Sequence, residues 1–227
     1  MLVSRLNHLS FIMDGNNRWS KKNNKKPFES YASGAKRLLS LSTHIFNNYE
    51  IYYISAFALS KKNLSRSSAL IKTLRRVLEY FLDDQKNLPQ RNFKINFKGD
   101  FSFLDKKTIN KIHLLEKDNP NSKKNLIIYI NYSGKDDIIK SCNDFCQQNS
   151  NKKITDNAIK KNLYSKNIPD PDVLIRTGGY QRISDFMLYQ ISFTELMFTK
   201  KLWPDFSNTD VDKFIDKFYK IERKYGL

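Results

Sequence analysis

The chain of 227 residues is 40% hydrophobic and 13% aromatic, enough to form the core of one domain, which we expect to span residues 1–227. Its 40 basic and 23 acidic residues give a net charge of +17, which indicates phosphorylated substrates, nucleic acid or an anionic membrane surface as partners. There is no apolar run of about 18 residues, no signal-peptide core, and only two cysteines, Cys142 and Cys146. We therefore exclude a membrane span and a disulfide framework and expect a cytoplasmic location.

The first predicted element is a buried strand that ends in a polar stretch. An apolar run from Leu9 to Met13 is followed at once by Asp14-Gly15-Asn16-Asn17-Arg18-Trp19. Ligands of parallel α/β sheets bind outside the carboxyl ends of the strands, and a glycine allows the backbone to approach a ligand closely. The stretch is therefore a candidate site, and an Asp-Gly turn without function is the alternative.

Helix and strand patterns alternate along the rest of the chain. After a basic loop over 21–26, Pro27 precedes a helical pattern from Tyr31 that ends near residue 48, and 51–59 is predicted as a buried strand. A polar loop over 60–66 leads to Ser67, which can cap a helix whose apolar face runs from Leu70 to Leu82. Further strands are predicted at 93–97, 126–131, 173–176 and 195–198, with helices at 104–116, 134–145, 155–163 and 211–221.

This alternation, with strands that are apolar throughout, indicates one α/β domain with a central, mostly parallel six-stranded sheet flanked by helices. Three polar clusters then follow strand ends: 14–19, 60–66 and 176–184. The third combines Arg176 and Arg182 with a glycine pair and Ser184, a set that can hold the oxygens of a diphosphate. Surface salt bridging is the alternative for these arginines.

The motifs resemble those of the cis-prenyltransferase family, in particular bacterial undecaprenyl diphosphate synthase. The similar segments are 8–19, 172–179 with 182–186, 195–198, 202–206 and 222–226, with a weaker similarity at 131–134 and Asp137. Their order and spacing agree with the family over nearly the whole chain.

The resemblance implies a Mg²⁺-dependent, head-to-tail condensation of isopentenyl diphosphate onto an allylic diphosphate, with each new double bond cis. It places Asp14 at the allylic diphosphate and at Mg²⁺, Glu195 at the metal, and Asn63 in proton abstraction. It assigns substrate binding to Gly15, Asn16, Asn17, Arg18, Trp19, Tyr31, Ser60, Lys62, Leu64, Arg66, Arg176, Arg182, Ile183 and Ser184. It also implies a homodimer, an apolar tunnel walled by the helix 70–82, and room for peripheral membrane contact during product release.

The sequence departs from the family pattern near the allylic site. Pro27 stands where an arginine is common, Tyr31 replaces a histidine, and Lys62-Asn63-Leu64 replaces a segment with Glu before Asn and Trp after it. Tyr180 replaces a glutamate after the glycine pair. We hypothesise that Lys25, Lys26 or Lys62 supplies part of the missing cationic charge.

Four alternatives stand beside an active enzyme with a long polyprenyl product. The chain could be a divergent member with a shorter product, or a non-catalytic partner subunit, although retained Asp14, Asn63 and Glu195 argue against the latter. Nucleic-acid binding is disfavoured because the few arginines lie in the diphosphate motifs. A trans-type synthase is disfavoured because Asp83-Asp84 and Asp136-Asp137 each lack the third aspartate of a DDxxD motif.

Overall fold

The computed structural model describes residues 5–64, 68–84, 91–149 and 152–222. The strands are β1 (His8–Ile12), β2 (Tyr53–Phe57), β3 (Lys94–Gly99), β4 (Asn125–Ile130), β5 (Val173–Arg176) and β6 (Glu195–Phe198). The helices are α1 (Asn16–Lys22), α2 (Pro27–Asn48), α3 (Lys61–Leu64), α4 (Ser68–Asp84), α5 (Lys106–Glu116), α6 (Gly134–Gln148), α7 (Asp156–Asn162) and α8 (Asn208–Tyr219), with a 3₁₀ turn at Trp203–Asp205.

The six strands form one sheet in the order β3-β4-β2-β1-β5-β6, and every neighbouring pair is parallel. The predicted α/β class with six strands is confirmed, and the sheet is entirely rather than mostly parallel. The first strand of the chain lies in the middle, between β2 and β5. Because all strands point the same way, the polar segments that follow them share one edge of the sheet.

The central strands are buried because helices cover both faces of the sheet. All five residues of β1 and all four of β5 are buried, which explains why these strands are apolar rather than alternating. The polar side chain of His8 is satisfied inside: its Nδ1 lies 2.6 Å from the carbonyl of Pro169 and its Nε2 lies 2.8 Å from the hydroxyl of Ser55.

Two short helices replace segments that the sequence predicts as loops. Gly15, with φ of +114°, turns the chain directly after β1, and α1 then begins at Asn16 and ends within the predicted basic loop. The Ser30 hydroxyl donates to the carbonyl of Asn16 and so ties α1 to α2. The second short helix, α3, covers the first residues of the loop predicted over 60–66.

The longer helices follow the predicted amphipathic patterns. Pro27, which the sequence places before the helical pattern, is itself the first residue of α2, since its fixed φ suits the first turn of a helix. The apolar face of α4 packs on the core through Phe81 and Leu82. The predicted cap at Ser67 lies outside the described residues. Among the helices that the structure describes, none is long and apolar enough to cross a membrane.

Candidate active site

A polar cavity of about 1060 Å³ opens at the carboxyl edge of the sheet. Residues from all three predicted clusters line it. They are Asp14, Gly15, Asn16, Asn17, Arg18, Tyr31, Ser60, Lys62, Asn63, Arg176, Arg182 and Ser184, joined by Lys61, Ser133, Lys135, Asp136, Tyr180 and Asp185 among others. Segments distant in sequence meet here because β1, β2 and β5 end at the same edge.

Asp14 holds two arginines, one through each carboxylate oxygen. Its Oδ1 lies 3.2 Å from Nη2 of Arg18, one helical turn later, and its Oδ2 lies 2.9 Å from Nη2 of Arg176. The Asp14 carbonyl is fixed as well, since it accepts from the Thr177 hydroxyl at 2.8 Å and from the Trp203 amide at 3.1 Å. The carboxylate is therefore presented to the cavity by a rigid backbone.

Arg176 is the buried member of this group, with a side chain only 5% exposed. Besides Asp14, its guanidinium donates to the Ser184 hydroxyl at 2.6 Å and to the carbonyl of Arg182. Ser184, Asp185 and Met187 all have positive φ, between 50° and 69°, a conformation that non-glycine residues rarely adopt. We infer that the bonds to Arg176 help to hold this strained loop against the cavity.

Gly178 lets Arg18 reach across to the end of β5. Its φ is +81°, and its carbonyl accepts from Nη1 of Arg18 at 2.6 Å. A Cβ at this position would lie 2.5 Å from Nη2 of Arg18 and 3.1 Å from the carbonyl of Asp14. A glycine is thus required both by the backbone conformation and by the close approach.

The second cluster also lines the cavity, through Ser60, Lys62 and Asn63. The backbone N–H of Asn63 donates to the carbonyl of Ser60 at 2.9 Å, which closes the turn that carries these residues. Lys61, which the sequence analysis did not single out, lies 2.5 Å from the carboxylate of Asp136 at the start of α6. Arg66 and the side chain of Leu64 lie outside the described residues.

Among the described residues that were predicted to bind substrate, two do not line this cavity. Trp19 points from α1 to the 3₁₀ turn, where its Nε1 donates to Asp205 at 2.7 Å. Ile183 lies between Arg182 and Ser184 but does not itself line the cavity. Of the lysines considered as replacements for a missing arginine, Lys62 lines the cavity, whereas Lys25 pairs with Glu29 at 3.7 Å.

Glu195, which the resemblance assigns to the metal together with Asp14, does not lie near Asp14 within this chain, and its role at a metal stays a prediction. Glu195 begins β6 and is in register with Val173, which is in register with Leu9. Asp14 lies five residues beyond Leu9, about 16 Å along the strand direction at 3.3 Å per residue. Glu195 therefore lies at the amino edge of the parallel sheet, away from the cavity.

An apolar cavity of about 100 Å³ lies beside the polar one. Helix α4 contributes one wall through Leu74, Val77, Leu78 and Phe81. Four residues line both cavities and so form their common rim: Met13, Asn16, Tyr31 and Ala58. A ligand with a charged head and a hydrocarbon tail would fit this arrangement.

The side chains around Asp14 suit a Mg²⁺ ion that is shared with a bound phosphate, and they do not suit a metal ion held by protein ligands alone. Within the described part of the chain, no three or more histidine, cysteine, aspartate or glutamate side chains are grouped to hold a metal ion. Mg²⁺ commonly uses one or two carboxylates together with substrate phosphates and water. Asp14, with the arginine-lined cavity in front of it, fits that pattern.

Comparisons with known proteins agree on one family. Residues 12–226 match the family model described as "Putative undecaprenyl diphosphate synthase". The chain is 34% identical to an isoprenyl transferase of Rickettsia typhi, covering 99% of both proteins. It is 33% identical to dehydrodolichyl diphosphate synthase 4 of Arabidopsis thaliana, covering 96% of this chain and 77% of that one.

Two crystal structures are similar over the whole fold. Lavandulyl diphosphate synthase from Lavandula x intermedia, in complex with dimethylallyl diphosphate, superposes with a TM-score of 0.87 at 28% identity and covers 97% of this chain and 98% of its own. A "probable undecaprenyl diphosphate synthase" from Campylobacter jejuni has a TM-score of 0.78 at 25% identity and covers 99% and 100%.

Proposed function

The chain belongs to the undecaprenyl diphosphate synthase family of cis-prenyltransferases, and from this membership we propose that it condenses isopentenyl diphosphate onto an allylic diphosphate, repeatedly and head to tail. Farnesyl diphosphate is the starter that we favour. The product is a cis-polyprenyl diphosphate such as undecaprenyl diphosphate, the lipid carrier of cell-wall glycan synthesis.

One observation carries this proposal: a cationic cavity and an apolar cavity share a rim. Arg18, Arg176 and Arg182 line the first, and the apolar face of α4 lines the second. Diphosphate oxygens match arginine forks, and a hydrocarbon chain gains about 0.8 kcal/mol for each buried methylene. The tail of an allylic diphosphate can enter the apolar cavity while its head stays among the arginines.

We assign the two diphosphates to different groups of residues. Arg176, Arg182 and Ser184 bind isopentenyl diphosphate, whereas Arg18, Asn16 and the backbone beside Gly15 bind the allylic diphosphate. Breaking the allylic C–O bond leaves negative charge on the departing diphosphate, and fixed cationic donors stabilise that charge best where they are already in place. Bound Mg²⁺, held by Asp14, would add further positive charge at the same oxygens.

Asn63 is the residue that we propose for the proton-abstraction step. It lines the same cavity as Arg176 and lies on the short helix α3. Its amide can orient a reacting group through hydrogen bonds but is not itself a base at neutral pH. We therefore propose that Asn63 orients the group that accepts the proton.

We also propose a homodimer with peripheral membrane contact. Two large apolar side chains are exposed here, Leu196 on the edge strand β6 at 44% and Phe193 just before it at 70%, and apolar side chains of this kind favour a protein or lipid contact. Light scattering of the purified chain tests the dimer, and a monomer at micromolar concentration would contradict it. Flotation with lipid vesicles tests the membrane contact, and absence of the chain from the vesicle fraction would contradict that.

The decisive experiment supplies the purified chain with Mg²⁺, farnesyl diphosphate and labelled isopentenyl diphosphate. We expect labelled, solvent-extractable product that is lost in excess EDTA and restored by Mg²⁺. A folded protein that incorporates no label with any allylic starter would overturn the proposal and favour the non-catalytic partner.

A family member with a shorter product is the second candidate, because the apolar cavity is small, at about 100 Å³. Chromatography of the extracted product separates the two. A single short allylic diphosphate would identify this candidate, and a ladder that extends to long chains would identify the first.

A further inference from the structure

Tyr180 lies among three arginine side chains at the mouth of the polar cavity. The distance from the centre of its ring to Cζ is 4.1 Å for Arg182, 5.0 Å for Arg18 and 5.6 Å for Arg176. All three lie within the range of a cation–π interaction, about 6 Å. One aromatic ring thus contacts arginines from both groups that we assign to the two diphosphates.

The backbone before Tyr180 explains how its ring reaches this position. Gly178 and Gly179 both have positive φ, +81° and +83°, so the chain turns sharply after β5. The turn is fixed by two bonds to the segment after β6: Gly178 N donates to Lys201 O at 2.7 Å, and Gly179 N to Thr199 O at 2.8 Å. The ring remains 45% exposed, so it contacts the arginines without being part of the core.

Three guanidinium groups held this close together repel one another. Asp14 compensates for Arg18 and Arg176, but among the described residues no carboxylate lies within salt-bridge distance of Arg182. The face of an aromatic ring attracts cations through its quadrupole and carries no net charge. Tyr180 can therefore reduce the repulsion while the cavity keeps its full positive charge, which a carboxylate at the same position would lower.

We propose that Tyr180 is a positioning residue that holds the guanidiniums of Arg18, Arg176 and Arg182 together as one anion-binding cluster and so links the two diphosphate subsites. The inference rests on the proposed function, because it assigns those arginines to two diphosphates. It adds a residue that would bind no substrate atom itself. Its effect on either diphosphate is exerted through the arginines.

The experiment compares Tyr180→Leu, Tyr180→Phe and the wild type by calorimetric titration with inorganic diphosphate. Loss of the ring should weaken binding by about tenfold, and phenylalanine should restore it to within about twofold, since the interaction needs the ring and not the hydroxyl. Tyr52→Leu is the matched control. The Tyr52 ring also contacts an arginine, since Cζ of Arg5 lies 5.6 Å from the ring centre. Tyr52 directly precedes β2, so it lies at the amino end of the strands, away from the polar cavity.

Steady-state kinetics separate a positioning role from a structural one. Tyr180→Leu should raise KM for isopentenyl diphosphate and for the allylic diphosphate, with kcat within about threefold and the thermal midpoint unchanged. A lower kcat and a lower midpoint with unchanged KM values would overturn the inference. So would equal affinity of Tyr180→Leu and wild type for inorganic diphosphate.

The two readouts also distinguish this inference from the proposed function. If no variant, nor the wild type, forms a prenyl product while diphosphate binding still depends on the ring, then the proposed function fails and the role of Tyr180 stands. If the wild type is active and the ring makes no difference to binding or KM, the proposed function stands and the inference fails.

Discussion

Arg176 and Asp14 are 162 residues apart in sequence, yet Nη2 of the arginine lies 2.9 Å from Oδ2 of the aspartate. The register of the sheet brings this about: Arg176 is the partner of Ile12, two residues before Asp14. A carboxylate at the end of one strand therefore faces a guanidinium at the end of its neighbour.

Replacing Asp14 by alanine should abolish turnover while the chain stays folded. The change removes the anion that holds Arg18 and Arg176, together with the proposed Mg²⁺ ligand, and we expect kcat/KM to fall by at least about a hundredfold. Initial rates measure the loss, and circular dichroism confirms the fold. Glu50→Ala, which removes an exposed partner of Arg5 elsewhere, is the control. Substantial activity in Asp14→Ala would remove Asp14 from the catalytic role.

Replacing Arg176 by alanine should act mainly on isopentenyl diphosphate. We expect its KM to rise by about 10- to 100-fold, which corresponds to the loss of one or two charge-assisted hydrogen bonds. Separate titrations of the two substrates give the two KM values, and Arg5→Ala is an exposed arginine control. An effect confined to the allylic substrate would mean that the two subsites are assigned in reverse.

A larger side chain on the apolar face of α4 should shorten the product. Leu78→Trp would fill part of the apolar cavity and leave less room for the growing chain. Chromatography of the extracted lipids measures chain length. Lys72→Trp on the exposed side of the same helix is the matched control. The same product distribution in both variants would place the tunnel wall elsewhere.

Of the two lysines Lys62 and Lys25, only Lys62 should affect binding at the proposed allylic site. Lys62 lines the polar cavity, whereas Lys25 pairs with Glu29 outside it. We expect Lys62→Ala to raise the KM for the allylic diphosphate about two- to fivefold, as for a single exposed charge. Lys25→Ala should leave it unchanged. If neither variant changes this KM, neither lysine compensates for the missing arginine.

The stability of the chain should fall as the pH drops from 6.5 towards 4, in part because of His8. Burial lowers the pKa of His8 from 6.5 to about 4, although its bond to the Pro169 carbonyl acts in the opposite direction. Between pH 6.5 and pH 4, His8 is protonated in the unfolded chain but stays neutral in the folded chain. The contribution of neutral His8 to the free energy of unfolding is therefore fully present above pH 6.5 and is lost as the pH falls through 4.

The loss reaches about 2 kcal/mol at pH 5 and about 3 kcal/mol below pH 4. Urea unfolding at pH 7 and pH 5 measures it, with His8→Asn as the comparison. Asparagine removes the titration at the cost of some stability at pH 7. An equal loss between the two pH values in both proteins would show that His8 is not the cause.

The carboxyl-edge site was predictable because each strand end carries its own local signal. Val173–Arg176 and Glu195–Phe198 have the predicted bounds, and Asp14, Asn63 and Arg182 lie on one cavity as expected. A buried apolar run followed by polar residues identifies the strand end. Parallel pairing then brings such ends together.

Glu195 shows what the motif alone could not provide. Its segment resembles the family pattern, but Glu195 begins β6 while Arg176 ends β5, so parallel pairing places them at opposite edges. The resemblance to the family suggested a role for Glu195 but not where its side chain lies in the sheet. The cluster around Tyr180 could not be predicted from the sequence for a different reason. It depends on the side-chain positions of Arg18 and Arg182, which are 164 residues apart in sequence.

The central place of β1 in the sheet has a consequence for folding. Strands β1 to β4 all lie within residues 8–130 and form four consecutive positions in the sheet, whereas β5 begins only at Val173. During synthesis, β1 is therefore an edge strand until the last quarter of the chain has been made. The carboxylate of Asp14 meets Arg176 only when that edge is covered, so the proposed diphosphate site is assembled late, by long-range pairing of the kind that folds slowly.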